Sequence, residues 1–228
     1  LKVVPGNADA LSLKTVAVNE VSGRAGVADL LNYEKFTSVS KLEAPEGYGS
    51  ASTFNLSLET AVFAELTRSE HRARGGFRVT DELFGVEAAP LWELEQLICD
   101  HVDAYYDRLD KRRKSPFIRT IPDSYVLDGW ARVYDGSDDQ VPEIHGDAHL
   151  CGYYYIQVPG SGEANSSSAS LTLGPAPSDL GGKRKLPSLN VWPEQSSIAL
   201  FPAYIFNQTK PVIQGRRMIC IAFSIVPA

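Results

Sequence analysis

Hydrophobic positions fall along this chain in two rhythms. In the first half the repeat is helical. From Leu58 to Arg74 the apolar residues Val62, Phe63 and Leu66 return at helical spacing; Ser57 can cap the start and Gly75-Gly76 ends the run. A second stripe, Leu91, Leu94, Leu97, Ile98, Val102, Tyr105 and Leu109, predicts a longer amphipathic helix. Pro90 suits its first turn, and the basic run from Lys111 to Lys114 complements its negative end. Residues 1–24 alternate loosely (Val3, Val4, Leu11, Leu13, Val16, Val18) and predict one or two strands. Residues 25–55 are mixed, with Pro45, Gly47 and Gly49 marking a loop.

After Pro116 the rhythm becomes that of short strands between Gly and Pro turns. The candidates are Phe117 to Ile121, Tyr125 to Tyr134, Cys151 to Val158, Ala169 to Leu173, Ser197 to Phe201 and Arg217 to Val226. Residues 159–168 and 174–190 are rich in Gly, Ser and Pro and read as loops. The order predicts an α+β fold in a single domain, 1–228. Residues 1–115 supply strands and buttressing helices, and 116–228 supply a β barrel or sandwich.

Composition narrows the function. With 228 residues, 43% hydrophobic and 22% charged, the chain can bury a full core. A net charge of −6 argues against nucleic acid as partner. Lys111 to Lys114 and Lys183 to Lys185 read as solvated surface. No apolar run approaches 18 residues, so no membrane span is expected, and the start carries no signal-peptide pattern. The three cysteines, Cys99, Cys151 and Cys220, are odd in number and far apart. They read as reduced thiols in a cytoplasmic compartment, with Cys151 and Cys220 facing a barrel interior or its wall. A homo- or heterodimer is compatible with all of this.

The chemistry concentrates in residues 130–159, WARVYDGSDDQVPEIHGDAHLCGYYYIQVP. The run reads as a strand (Trp130 to Tyr134), a polar connection (Asp135 to Val141) and a tight hairpin into a second strand (Cys151 to Val158). Glu143, His145, Asp147 and His149 stand at every second position in the hairpin mouth. Alternate side chains of an extended chain share a face, so this spacing can aim several ligands at one ion. Imidazole with carboxylate suits non-heme Fe(II). The competing reading is a polar turn with solvated charges. His71 reads as an exposed residue in a helix's last turn, and His101 as a packed histidine beside an apolar stripe.

Residues 125–228 resemble the Fe(II)/2-oxoglutarate-dependent oxygenases related to prolyl hydroxylases. The resemblance rests on Trp130, then Pro142-Glu143-Ile144-His145, then LCGYYYIQVP. It continues with ASLTLGPAP at Ala169 to Pro177, VWPEQSSIALFPAY, and the terminal RRMICIAFSIVPA. It implies a double-stranded β-helix, a jelly-roll barrel buttressed by two N-terminal helices. It also implies Fe(II) and 2-oxoglutarate as cofactors, with a small-molecule or amino-acid-type substrate undergoing hydroxylation or oxidative cyclisation.

In that family two hairpin histidines, two residues apart, and a distal histidine hold the metal. Here Glu143 stands at the first position, His145 matches the second, and Asn207 stands at the distal one. Either Glu143 and His145 bind the metal with Asn207 as a weak carbonyl contact, or the register slides by two to His145-x-Asp147 with His149 nearby. The family's arginine for the co-substrate's far carboxylate falls at Met218. Arg216, which shares Met218's facing, or Arg217 would replace it, with Tyr155 donating its hydroxyl to the same carboxylate. A degenerate oxygenase fold, serving as a ligand-binding or regulatory subunit, is the alternative. A sugar- or peptide-binding jelly roll gets little support, because the aromatic residues look like core.

Overall fold

The computed structural model describes residues 6–69, 71–72, 77–109, 115–136, 140–159, 169–180 and 182–228. Lys111 to Lys114, Gly75-Gly76 and the loop 160–168 lie outside them.

The first described element is a helix, α1 (Ala8–Gly26), where strands were expected; Val3 and Val4 lie outside the described residues. Its buried positions are Ala8, Leu11, Ser12, Thr15 and Asn19, a helical stripe written mostly in small and polar residues. Of the apolar residues that suggested alternation, Leu11 lies on this face, but Leu13, two positions on, is 54% exposed. Asn7 caps the helix, its side chain accepting from the Ala10 amide at 2.8 Å. A single turn, α2 (Tyr33–Phe36), leads into a short strand, β1 (Ser38–Lys41).

Helix α3 (Ala51–Arg68) starts a full turn and more before Ser57. Ser50 is the cap, accepting from the Thr53 amide at 3.1 Å, while Ser57 bonds back to the Thr53 carbonyl inside the helix. The buried stripe is Phe54, Asn55, Leu58, Val62 and Leu66. Two short strands follow, β2 (His71–Arg72) and β3 (Arg78–Val79). His71 therefore sits on a strand, exposed and 2.7 Å from Asp81. Helix α4 (Ala89–Asp107) buries Leu91, Leu94, Ile98, Val102 and Tyr105, the stripe the spacing predicts. His101 is half-buried, with Nδ1 2.8 Å from the Leu97 carbonyl oxygen. Phe117 to Ile121 is not a strand: Pro116 opens another single turn, α5 (Pro116–Arg119).

The remaining strands are β4 (Tyr125–Tyr134), β5 (Leu150–Gln157), β6 (Leu171–Leu173), β7 (Leu189–Val191), β8 (Ser197–Pro202), β9 (Asn207–Thr209) and β10 (Met218–Pro227). They form two antiparallel sheets, one ordered β1-β8-β5-β10-β4-β3-β2 and the other β7-β6-β9. This is the double-stranded β-helix. Helix α3 packs on β5 from outside, where the Tyr154 hydroxyl donates to Asn55 Oδ1 at 2.6 Å. Tyr153 and Tyr155 point the opposite way, into the barrel. Because β5 and β10 are covered on both faces, their sequences are nearly continuous apolar runs. Helices and barrel share one hydrophobic core.

The expected hairpin between β4 and β5 does not form. Strand β10 pairs with both, so β4 and β5 run parallel and need a crossover. Within that crossover Gln140 and Glu143 meet the second sheet, Glu143 bridging Asn207.

Candidate functional site

The crossover brings Glu143 and His145 to the open side of the barrel. Glu143 exchanges both backbone hydrogen bonds with Asn207, each at 2.9 Å. The amide of Asn207 then donates to the Glu143 carbonyl at 3.0 Å, and its Oδ1 accepts from the Tyr153 hydroxyl at 2.8 Å. His145 Nδ1 lies 2.7 Å from Ser224 Oγ on β10, and its ring stacks on Trp130 of β4, 5.5 Å away and 16° from parallel. Its other nitrogen, Nε2, is buried without a hydrogen-bond partner, 3.9 Å from Glu143 Oε1. Burial pushes the imidazole pKa down to about 4, helped by the Arg132 charge, so the ring is neutral at pH 7 with a lone pair to offer.

Arg132 is the residue that spacing arguments overlooked. It projects from β4 into the barrel, 4% exposed, with Nη1 2.7 Å from Glu143 Oε1 and 3.2 Å from the Tyr153 hydroxyl. Aromatic rings of Phe77, Trp130 and Tyr153 surround it at 5.5, 5.6 and 5.5 Å. Its Nε is buried and unpartnered. Burial alone would raise the Glu143 pKa; the adjacent guanidinium outweighs that and holds the carboxyl below its ordinary value. A signal was present in WARVY: a lone cation inside an apolar strand is rare unless something pairs with it.

The other expected ligands lie elsewhere. Asp147 is exposed and stays out of the cluster. His149 turns outward from the barrel: Nε2 donates to the Phe117 carbonyl and Nδ1 meets the Tyr106 hydroxyl, both at 2.9 Å. Arg216 and Arg217 are exposed and line an open cavity of about 420 Å³ with Asp135 and Gln157. Arg217 also lies 5.5 Å over the ring of Phe63 on α3. Met218 shares the inward parity of Ser224 and is fully buried, so an apolar side chain occupies that position. Tyr155 faces inward, 2% exposed, stacked on Tyr153 at 6.3 Å. Cys151 and Cys220 are buried free thiols and Cys99 is half-buried.

Comparison with known proteins fits this geometry. Residues 128–224 match a family model described as "Putative 2OG-Fe(II) oxygenase", where 2OG is 2-oxoglutarate. Over that segment the barrel is similar to the 2OG-Fe(II) oxygenases. A Pseudomonas putida prolyl-4-hydroxylase superposes with TM-score 0.56 at 10% identity, over 94% of this chain and 99% of that one. The non-heme α-ketoglutarate-dependent epimerase SnoN of nogalamycin biosynthesis gives 0.57 at 9% identity, over 96% and 82%. HygX from Streptomyces hygroscopicus, with nickel and 2-oxoglutarate bound, gives 0.50 at 13%, over 88% and 86%. No curated protein matches the chain by sequence. The neighbours share the fold, and Fe(II) and 2-oxoglutarate are the cofactors that the matched family's description names.

The donor set fits such a metal on one condition. Among the described residues no three His, Cys, Asp or Glu side chains are grouped for an ion. One imidazole and one carboxylate do converge, and cis ligands at about 2.1 Å from an ion stand about 3 Å apart. The 3.9 Å gap between Nε2 and Oε1 needs to close by about 1 Å. Asn207 Oδ1 is a weaker third donor once Tyr153 turns away. The condition is that Glu143 exchanges Arg132 for the metal. No helix among the described residues is long and apolar enough to cross a membrane.

Proposed function

We propose that this chain is a non-heme Fe(II)/2-oxoglutarate-dependent oxygenase with a non-standard ligand set, acting on a small-molecule or amino-acid-type substrate in the cytoplasm. One observation carries the reading: a neutral, buried imidazole nitrogen without a partner, facing a carboxylate inside a barrel similar to this family's. His145 and Glu143 would hold the metal, with Asn207 as the third contact. When bound, the metal and keto acid would activate dioxygen for hydroxylation or oxidative cyclisation of a substrate carbon. The chain's own part is placement and shelter. Ser224 and Trp130 fix the imidazole, the Asn207 bridge fixes the Glu143 backbone, and the aromatic walls exclude water.

A second reading follows from the 2.7 Å contact between Arg132 and Glu143. A guanidinium already balances the carboxylate, so the barrel is complete without an ion. The protein would then bind a small acid or a partner without oxygen chemistry. Anaerobic titration with Fe(II) and 2-oxoglutarate, followed by admission of air, separates the two. The oxygenase reading predicts a weak visible charge-transfer band and uncoupled succinate, both lost in His145→Ala. No band and no succinate at saturating iron would leave the second reading standing alone.

A further inference from the structure

A guanidinium inside a barrel must always face an anion, because its charge cannot shed a proton and burial strips its water. Here that anion is Glu143, whose side chain is one-third exposed, whereas the Arg132 side chain is 5% exposed. The pair therefore has a fixed inner member and an outer member with room to move. Arg132 also has a spare donor, its Nε being buried and unpartnered. The Tyr153 hydroxyl beside it accepts from Nη1 at 3.2 Å and gives its own proton to Asn207. The other arginines that could read a carboxylate, Arg216 and Arg217, face solvent, and Met218 fills the inward position between them and the barrel.

We infer that Arg132 on β4 is the barrel's carboxylate-reading residue, held in reserve by Glu143, and that a dicarboxylate ligand takes it over from Glu143. The inference rests on the oxygenase reading for its ligand class, a 2-oxoglutarate-like dicarboxylate. Charge stays balanced throughout. In the resting barrel the guanidinium faces Glu143; in the loaded barrel it faces the ligand's far carboxylate in a bidentate fork, and the freed Glu143 is available to a divalent cation beside His145. Binding of the acid should then favour binding of the metal even when the acid cannot chelate it.

Glutarate is the discriminating probe, since it carries both carboxylates and lacks the keto oxygen that grips a metal. Glutarate is titrated calorimetrically into the metal-free protein and into two variants, with thermal melts confirming folding. Glu143→Gln frees the guanidinium and should bind glutarate about tenfold more tightly. Arg132→Lys keeps a charge without the fork and should bind about tenfold more weakly. Arg216→Ala and Arg217→Ala should match the parent. Equal affinities in parent, Glu143→Gln and Arg132→Lys, or no glutarate binding in any of them, would overturn the assignment. Mn(II) titration with and without glutarate reads the oxygenase proposal separately. If Mn(II) never binds while the glutarate order holds, the metal reading fails and Arg132 keeps its role. If Mn(II) binds but glutarate leaves its affinity unchanged, the handover from Arg132 is wrong.

Discussion

His145 and His149 stand four residues apart, the first with a side chain 10% exposed and the second buried, and desolvation pushes both rings down to about pH 4. Their surroundings are otherwise opposite. His149 lies against the helical layer, stacked on Phe117 with ring centroids 4.4 Å apart. The Phe117 carbonyl can only accept, so Nε2 carries the proton and Nδ1 accepts from Tyr106. Every polar atom of that ring is satisfied, and the region is a packed joint between α4, α5 and the barrel. His145 faces the barrel interior with one nitrogen satisfied and one idle. Burial alone does not mark a site; burial with an unspent ring nitrogen beside a carboxylate does.

The largest effects should come from breaking each region's polar closure. Arg132→Ala strands the Glu143 carboxylate against the barrel and should cost about 3–5 kcal/mol of stability. His149→Ala opens a cavity and orphans Tyr106 and the Phe117 carbonyl, costing about 2–4 kcal/mol. Both are read by denaturant unfolding. The comparison sharpens in the second readout: His149→Ala should leave glutarate affinity unchanged in the folded fraction, whereas Arg132→Ala should abolish it.

A smaller effect concerns acid. The His149 ring binds a proton near pH 6.5 when unfolded and only near pH 4 when folded. Between those values the unfolded chain holds more protons, so stability is full above about 6.5 and falls as pH drops toward about 4. The loss from this ring amounts to about 3 kcal/mol at most. Unfolding midpoints measured across that window should decline with acid; a flat profile would show that the ring is not closed off as described.

Much of the fold was legible because its signals are periodic. Helix α4 carries a clean apolar stripe, and the long strands β4, β5, β8 and β10 carry the family's aromatic order. Helix α1 was hidden because its buried face uses Ser12, Thr15 and Asn19. Short pairings such as β1 with β8 hold too few residues to show a period. In the site, Glu143, His145 and Asn207 do come together, since register in the flanking strands places them. The partners that decide their chemistry come from other strands: Arg132 on β4, Tyr153 on β5 and Ser224 on β10. Spacing along one segment carries no information about side chains delivered by three others. The crossover also misled, because two strands that look like a hairpin are separated by β10.

The central claim is that His145 Nε2 is the atom left open for a ligand. Nitrogen-15 histidine spectra recorded during Mn(II) titration, with glutarate present, test it directly. The account predicts that paramagnetic broadening removes the His145 ring signals first and leaves those of His149 sharp. Equal broadening of both rings, or none at His145, would contradict it.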